Sequence, residues 1–169
     1  MVCVTLKQAA LGSNQLLNCL PENKRTQFID YCEVVNLNLN EVIGNAGDRI
    51  AYVYFPIEGV ISSEKKITDS PYLIVTLIGS EGMLCISLML GIDITSCRAI
   101  IQRAGYALRI SAVNFMYQME HYPTPNTLLK RYVFVTHSQL HATCFMCSKK
   151  GWYDCCLCSK IDRNQMSCI

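Results

Sequence analysis

The hydrophobic pattern changes its period twice along this chain, and that change limits the folds the chain can adopt. Before residue 33 and after residue 110, apolar residues recur every three or four positions, which is typical of amphipathic helices. Between these points the period is two. In residues 33–40, Val35, Leu37 and Leu39 alternate with asparagines, which predicts a strand with one buried face. Further strands are predicted at 51–55 (ended by Pro56), 60–65, 72–78 (a central strand), 98–102 and 106–110.

Short strands at spacings of about ten residues, separated by turn sequences, are typical of antiparallel sandwiches and barrels. Strands and helices do not alternate here, which argues against a parallel nucleotide-binding sheet. The predicted fold is mainly β with flanking helices: an antiparallel, jelly-roll-like β-roll followed by a long helix. The chain divides into N-terminal helices (1–32), the β-roll (33–110), C-terminal helices (111–143) and a cysteine-rich tail that we expect to be disordered (144–169).

Capping residues predict where the helices begin. Asn14 suits the N-cap of a short helix, and Pro21 suits the first residue of the next, which we expect to end near Cys32. Ser111 is a suitable N-cap for a helix over residues 112–120. A longer helix is expected from about Asn126.

This long helix carries an apolar stripe that must be buried. Its members follow helical spacing, and they are Leu129, Tyr132, Val133, Thr136 and Leu140. Two alternatives are open: the stripe packs against its own β-domain, or it packs against the same helix of a second chain. About four turns of helix precede the change in composition, so the second arrangement predicts a weak homodimer.

Composition and charge narrow the possible functions. No apolar run reaches the roughly 20 residues of a membrane-spanning helix, and the N-terminus is a poor signal peptide, so we expect a cytoplasmic protein without membrane contact. Residues 1–143 contain 11 Lys+Arg and 11 Asp+Glu, so no basic face indicates specific DNA binding. The chain contains no P-loop, Gly-x-Ser-x-Gly or Gly-x-Gly-x-x-Gly motif, and we expect no enzymatic activity.

Six of the 11 cysteines lie in the tail, which marks a break in composition near residue 144. Two pairs of the type Cys-x-x-Cys could supply four thiolates to a tetrahedral zinc ion. These candidate ligands are Cys144, Cys147, Cys155 and Cys158. The seven-residue separation of the pairs is shorter than in common zinc ribbons. A tail without a fixed site is the other interpretation, and a metal- or redox-responsive protein is the alternative function.

Several motifs and their order resemble the sensory domain of the Crp/Fnr family of bacterial transcription regulators. They are residues 14–21 (NQLLNCLP), Gly47-Asp48, residues 53–56 (VYFP) with Gly59-Val60, and residues 79–83 (GSEGM) with Arg98-Ala99. The resemblance covers about residues 12–143. It implies a cyclic-nucleotide-binding type of β-roll followed by a dimerisation helix.

The resemblance also implies an effector pocket. Its positions here are Gly82, Met83, Cys85, Ile86, Cys97, Arg98 and Ala99. In the family, a Glu takes the ribose hydroxyl and an Arg holds the cyclic phosphate. Those positions correspond here to Ile86 and Cys97. Neighbouring residues of a strand point to opposite faces, so Arg98 does not replace the missing Arg. We therefore expect a degenerate pocket that binds neither a cyclic nucleotide nor another cofactor.

The end of the chain departs from the family pattern. Regulators of this type continue into a winged helix-turn-helix, whereas only 25 residues follow Cys144 and they show no recognition-helix pattern. The implied function is an effector-sensing regulatory domain that lacks its own DNA-binding domain and binds no specific DNA sequence.

Overall fold

Two helices begin the part of the chain that the computed structural model describes, which is residues 14–66 and 72–150, with side chains through Ser138. They are α1 (Gln15–Asn18) and α2 (Glu22–Asp30). Asn14 is the N-cap of α1, as predicted, because its Oδ1 accepts a hydrogen bond from the Leu17 N–H at 3.1 Å. Pro21 has an extended ψ of 142°, so it occupies the N-cap position of α2 and is not the first helical residue that we predicted.

A five-stranded antiparallel sheet forms the body of the domain. Its strands are β1 (Glu33–Leu37), β2 (Val42–Gly44), β3 (Tyr52–Lys65), β4 (Leu73–Ile78) and β5 (Arg98–Ser111). The order is β1-β5-β3-β4, and β2 also pairs with β5. A 3₁₀ helix, η1 (Ile86–Leu90), lies between β4 and β5. The predicted class, mainly β with flanking helices and an antiparallel arrangement, is confirmed.

The two longest strands, β3 and β5, run side by side without interruption. The sequence pattern had divided each of them into two strands, with Pro56 as the end of one, and that division is wrong. Register shifts follow Pro56, Glu58 and Val60, so the pair bends where the ladder is irregular. An irregularity of this kind tolerates a proline, which cannot donate to the ladder.

The bend brings the backbones of β3 and β5 into close approach. A Cβ on Gly105 would collide with the Glu58 carbonyl, and a Cβ on Gly59 would lie 2.6 Å from the Arg103 oxygen. Gly59 also has a φ of 94°, which L side chains rarely adopt. Both glycines are therefore required by the close approach of the two paired backbones.

Two smaller predictions about the sheet also need correction, and one strand was not predicted. Leu39 lies beyond β1 and is 59% exposed, so it does not share the buried face of Leu37, which is 2% exposed. The strand predicted to be central, β4, is terminal in the sheet order. The short strand β2 was not predicted from the sequence, because three residues are too few to show a period of two.

The sheet and helices enclose two clusters of buried apolar residues. The larger cluster joins α1 and α2 to the sheet, and in it the Phe28 and Phe55 rings meet edge to face at 5.6 Å. The smaller cluster lies within the roll and includes Leu37, Ile61, Leu84 and Ile101. β3 and β5 contribute to both clusters.

Two helices follow the sheet: α3 (Ala112–His121) and α4 (Pro123–Lys150). Ser111 caps α3 as predicted, accepting a hydrogen bond from the Asn114 N–H at 3.2 Å. The long helix begins at Pro123, before the predicted start at Asn126. Proline suits this position, because the first N–H groups of a helix have no intrahelical partner.

α4 continues to Lys150, past the boundary that we placed at residue 143. Cys144 and Cys147 lie on it, but their side chains are outside the described part. Cys155 and Cys158 fall in residues 151–169, also outside it, so the zinc site and the disorder of that segment stay predictions. Within the described residues, no group of three or more potential ligands could hold a metal ion. No helix among those residues is long and apolar enough to cross a membrane.

Candidate functional site

A cavity of about 110 Å³ opens inside the β-roll, where the family resemblance places an effector pocket. Its walls come from β2, the start of β3 and the segments that flank η1. The lining residues are Ile43, Gly44, Asp48, Arg49, Ile50, Ala51, Tyr52, Tyr54, Ser63, Leu84, Cys85, Thr95, Cys97 and Ala99. Most of this wall is apolar, and two of its members are thiols.

One thiol of the wall, Cys85, is held at an unusual backbone position. It precedes η1 with a φ of 73°, in the left-handed region. The neighbouring Leu84 N–H donates to the Tyr54 carbonyl at 2.9 Å, which ties this segment to β3. Burial raises the pKa of the Cys85 thiol to about 12, so the group is neutral at physiological pH.

The second thiol, Cys97, lies just before β5. The Thr95 hydroxyl donates to the Cys97 carbonyl at 2.9 Å and receives a hydrogen bond from the Cys97 N–H at 3.3 Å. These two bonds fix the turn into β5 and use both functions of the hydroxyl. The donor of the Thr95 hydroxyl is therefore used within its own loop, and Thr95 has no free donor for a ligand in the cavity.

Both charged residues of the wall, Asp48 and Arg49, have polar partners of their own. The Arg49 side chain is 83% exposed and pairs with Asp93 at 3.0 Å in solvent. Asp48 accepts a hydrogen bond from the Asn45 N–H at 2.8 Å, which closes a turn. Within the described residues, Arg49 is the only cation in the wall, so no buried cation faces the cavity. The interior is therefore suited to small, uncharged groups.

The structure brings only some of the predicted pocket residues to this cavity. Cys85, Cys97 and Ala99 line it. Arg98 does not, because its guanidinium lies over the Tyr72 ring at 5.1 Å from the ring centre. Ile86 begins η1 and packs against the larger core, so it does not line the cavity either.

Two further predicted pocket residues contact helix α4 and not the cavity. Met83 is 1% exposed and belongs to the larger core. Its N–H donates to the Tyr132 hydroxyl at 3.2 Å, and a Cβ on Gly82 would collide with the same hydroxyl. Burial raises the pKa of the Tyr132 phenol, so it stays protonated.

The segment 79–85 therefore connects the cavity to the helices. At one end it supplies Leu84 and Cys85 to the wall. In its middle, the Asn14 side chain donates to the Gly82 carbonyl at 3.1 Å, and Tyr132 of α4 contacts the same glycine. These contacts link the cavity wall to α1 and α4.

The apolar stripe of α4 divides along its length. Leu129 is 1% exposed and lies in the larger core of its own chain, as the first alternative expected. It therefore has no surface to offer a partner. Tyr132 is also engaged within the chain, whereas Val133 and Thr136 are half-buried and Leu140 lies outside the described side chains. The predicted dimer contact is thus reduced to the part of the stripe beyond Tyr132.

Sequence reasoning missed several residues of the wall. Ser63, Ile43 and Tyr54 come from strands whose neighbours are set by tertiary pairing, and no local pattern marks them. Asp48 carried a weak signal, since Gly47-Asp48 is one of the motifs that suggested the family, whereas Arg49 carried none. Within segment 79–85, no sequence pattern distinguished the residues that line the cavity from those that contact α4.

Comparison with known proteins supports the same fold. No protein-family model matches the chain, and no curated protein does. Solved structures do match. A cyclic nucleotide-binding domain from Methylobacillus flagellatus is 12% identical with a TM-score of 0.63, covering 83% of this chain and 80% of its own. The sensor domain of the transcriptional regulator DNR from Pseudomonas aeruginosa is 16% identical with a TM-score of 0.59, covering 80% and 88%.

A eukaryotic structure matches as well. The regulatory domain of Toxoplasma gondii PKA, crystallised with cAMP, is 14% identical with a TM-score of 0.63, covering 76% of this chain and 49% of its own. These likenesses show the fold: the chain has the fold of a cyclic-nucleotide-binding domain, which these regulatory and sensor proteins share. The resemblance drawn from the motifs is confirmed at this level.

Proposed function

We propose that this chain is an effector-sensing regulatory domain of the Crp/Fnr type whose pocket does not bind cyclic nucleotides. The observation that carries this proposal is the cavity itself: about 110 Å³, with a neutral buried thiol and an exposed Arg49. Pockets for drug-sized ligands are usually about 300–1,000 Å³. The volume supports a ligand much smaller than a nucleotide.

The charge of the wall supports the same conclusion. A cyclic phosphate keeps its negative charge when it is bound, so burying it requires charge-assisted hydrogen bonds. Arg49 is paired with Asp93 in solvent, and Arg98 is stacked on Tyr72. The corresponding family position holds the thiol of Cys97, which is a weak donor. The proposed effector is a small uncharged molecule; for comparison, a dry apolar cavity of roughly 150 Å³ accepts benzene.

The contacts of segment 79–85 support a sensing role. The segment shares its residues between the cavity wall and the helices, so an effector that moves the wall changes the packing of Tyr132 on α4. We place the chain in the cytoplasm, without catalytic activity and without specific DNA binding of its own. Its homodimer, weak and concentration-dependent, forms through α4, where Val133 and Thr136 are the half-buried residues of the stripe.

Isothermal titration calorimetry with cAMP and cGMP tests the pocket. We expect no binding tighter than about 100 μM, because the missing charge-assisted bonds are worth roughly 1.5–3 kcal/mol each. The regulatory domain of Toxoplasma gondii PKA, measured in the same buffer, is the positive control. Low-micromolar affinity of this chain for either nucleotide would overturn the proposal.

A further inference from the structure

The outward face of α4 has a one-sided charge. The helix contains no Asp or Glu along its 28 residues, whereas it contains four Lys and Arg. The exposed side chains recur at steps of three and four, so they lie on one face opposite the buried Leu128 and Leu129. They are Thr127, Lys130, Arg131, Phe134, His137 and Ser138. At a rise of about 1.5 Å per residue, this face is roughly 16 Å long.

An apolar anchor stands in the middle of this cationic face. Phe134 is 71% exposed, so its ring is available for contact on this face. Lys130 and His137 lie one turn on either side of it, and Arg131 lies three residues before it. An exposed aromatic ring surrounded by cationic groups is a composition found at protein interfaces, where aromatic residues and arginine are enriched.

A groove continues this face towards the N-terminal end of α4. It has a volume of about 350 Å³ and runs between the end of α1 and the first turns of α4. Arg131 and Thr127 belong both to the groove and to the exposed face. Apolar and hydroxyl side chains make up most of the rest, and the full lining is Cys19, Leu20, Pro123, Thr124, Thr127, Leu128 and Arg131.

We infer that the groove and the outward face of α4 together bind an acidic segment of another protein, one that carries an apolar side chain beside its carboxylates. The apolar side chain enters the groove or covers Phe134. The carboxylates pair with Lys130 and Arg131. This surface lies outside the cavity of the β-roll, so the inference does not depend on the identity of the effector.

Charge complementarity distinguishes this occupant from the other two candidates. A second copy docked outward face to outward face would bring Lys130 and Arg131 against the same two cations, with no carboxylate on either α4 to pair with them. Duplex DNA usually engages six or more phosphates through a broad basic surface. Here the described part of the face offers two permanent cations and an apolar groove, which fits a short acidic peptide better.

Fluorescence polarisation on the full chain tests the inference, with a fluorescein-labelled amphipathic peptide of glutamate and leucine as the probe in dilute salt. We expect binding that weakens at least tenfold in Lys130→Glu/Arg131→Glu and in Phe134→Ser, and that weakens as NaCl is raised. Lys65→Glu/Lys66→Glu is the matched control, because it makes the same change in net charge at another exposed site and should leave binding unchanged. Circular dichroism should show all three variants folded.

Three results would overturn the inference. The first is equal binding of the acidic peptide by the wild type and by Lys130→Glu/Arg131→Glu. The second is binding of a lysine–leucine peptide as tight as that of the acidic one, or displacement of the probe by a 20-base-pair DNA duplex at lower concentration. The third is self-association in sedimentation that Phe134→Ser abolishes, which would assign the face to a second copy.

Discussion

Asn14 joins three parts of the domain, and its replacement tests how the fold positions segment 79–85. The side chain is 1% exposed. Its Oδ1 caps α1 through Leu17, while its Nδ2 donates to the Pro56 carbonyl at 2.9 Å and to the Gly82 carbonyl at 3.1 Å. One amide therefore holds the start of α1, the bend of β3 and the segment that leads to the cavity.

The cost of Asn14→Ala follows from these three bonds. Loss of an N-cap costs about 1 kcal/mol, and loss of each of the two other hydrogen bonds costs roughly 0.5–1.5 kcal/mol. We expect the free energy of unfolding to fall by roughly 2–4 kcal/mol, a large share of the 5–15 kcal/mol typical of a domain. Asn14→Asp keeps the capping oxygen but removes both donated bonds and directs an anionic oxygen at two carbonyls. It should therefore cost at least as much as Asn14→Ala.

Urea unfolding followed by circular dichroism at 222 nm measures both variants, provided that the slope against urea stays constant. Asn114→Ala is the matched control, because Asn114 is exposed on α3, and its effect should stay within about 0.5 kcal/mol. If Asn14→Asp is as stable as the wild type, capping alone matters, and the bridging role argued from the two carbonyls is wrong. An Asn14→Ala variant with wild-type stability would refute the whole account.

Three other substitutions, and the reactivity and pH dependence of one thiol, probe other parts of the structure. Tyr132→Phe leaves a buried N–H without its acceptor, so the same urea assay should show a loss of roughly 1–3 kcal/mol. The Cys85 thiol should resist alkylation in the folded protein. Because folding raises the pKa of this thiol from 9.0 to about 12, the free energy of unfolding should decrease as the pH rises through this interval. Urea titrations at several pH values would measure that decrease. Leu129→Glu should unfold the chain because Leu129 is core, whereas Val133→Glu should give a folded monomer in sedimentation. A folded Leu129→Glu variant, or a Val133→Glu variant that still dimerises, would contradict these assignments.

Features that depend on local chemistry were predictable from the sequence. Asn14 and Ser111 cap helices because their side chains reach main-chain N–H groups three residues ahead, and this reach is visible in the sequence. The change of period at residue 33 and again near residue 110 marked the limits of the sheet within a residue or two. These signals act over one turn or one strand, which is the range that a single sequence reveals.

Features set by tertiary contact were not predictable in the same way. Pro56 reads as the end of a strand, but the paired β5 carries β3 through it by shifting the register. Leu39 continues the alternating apolar pattern of Val35 and Leu37, but strand β1 ends at Leu37 and Leu39 lies outside it. In the candidate site, Cys85 and Ile86 are adjacent, yet only Cys85 lines the cavity, and the chain turns there because Cys85 has a left-handed backbone before η1. No pattern in the sequence predicts the left-handed turn before η1.

The shared strands have a consequence for the way in which the domain opens. Because β3 and β5 are paired along their length and pass through both apolar clusters, neither cluster can lose its strands while the other keeps them. We expect the roll to behave as one cooperative unit, with the slowest amide hydrogen exchange shared by Val53, Ile61 and Ile101, across both halves. Exchange by separate sub-global openings would then be confined to elements outside this pair, such as β4 and the exposed turns of α4. Sensing through segment 79–85 would occur against a framework that does not partly unfold.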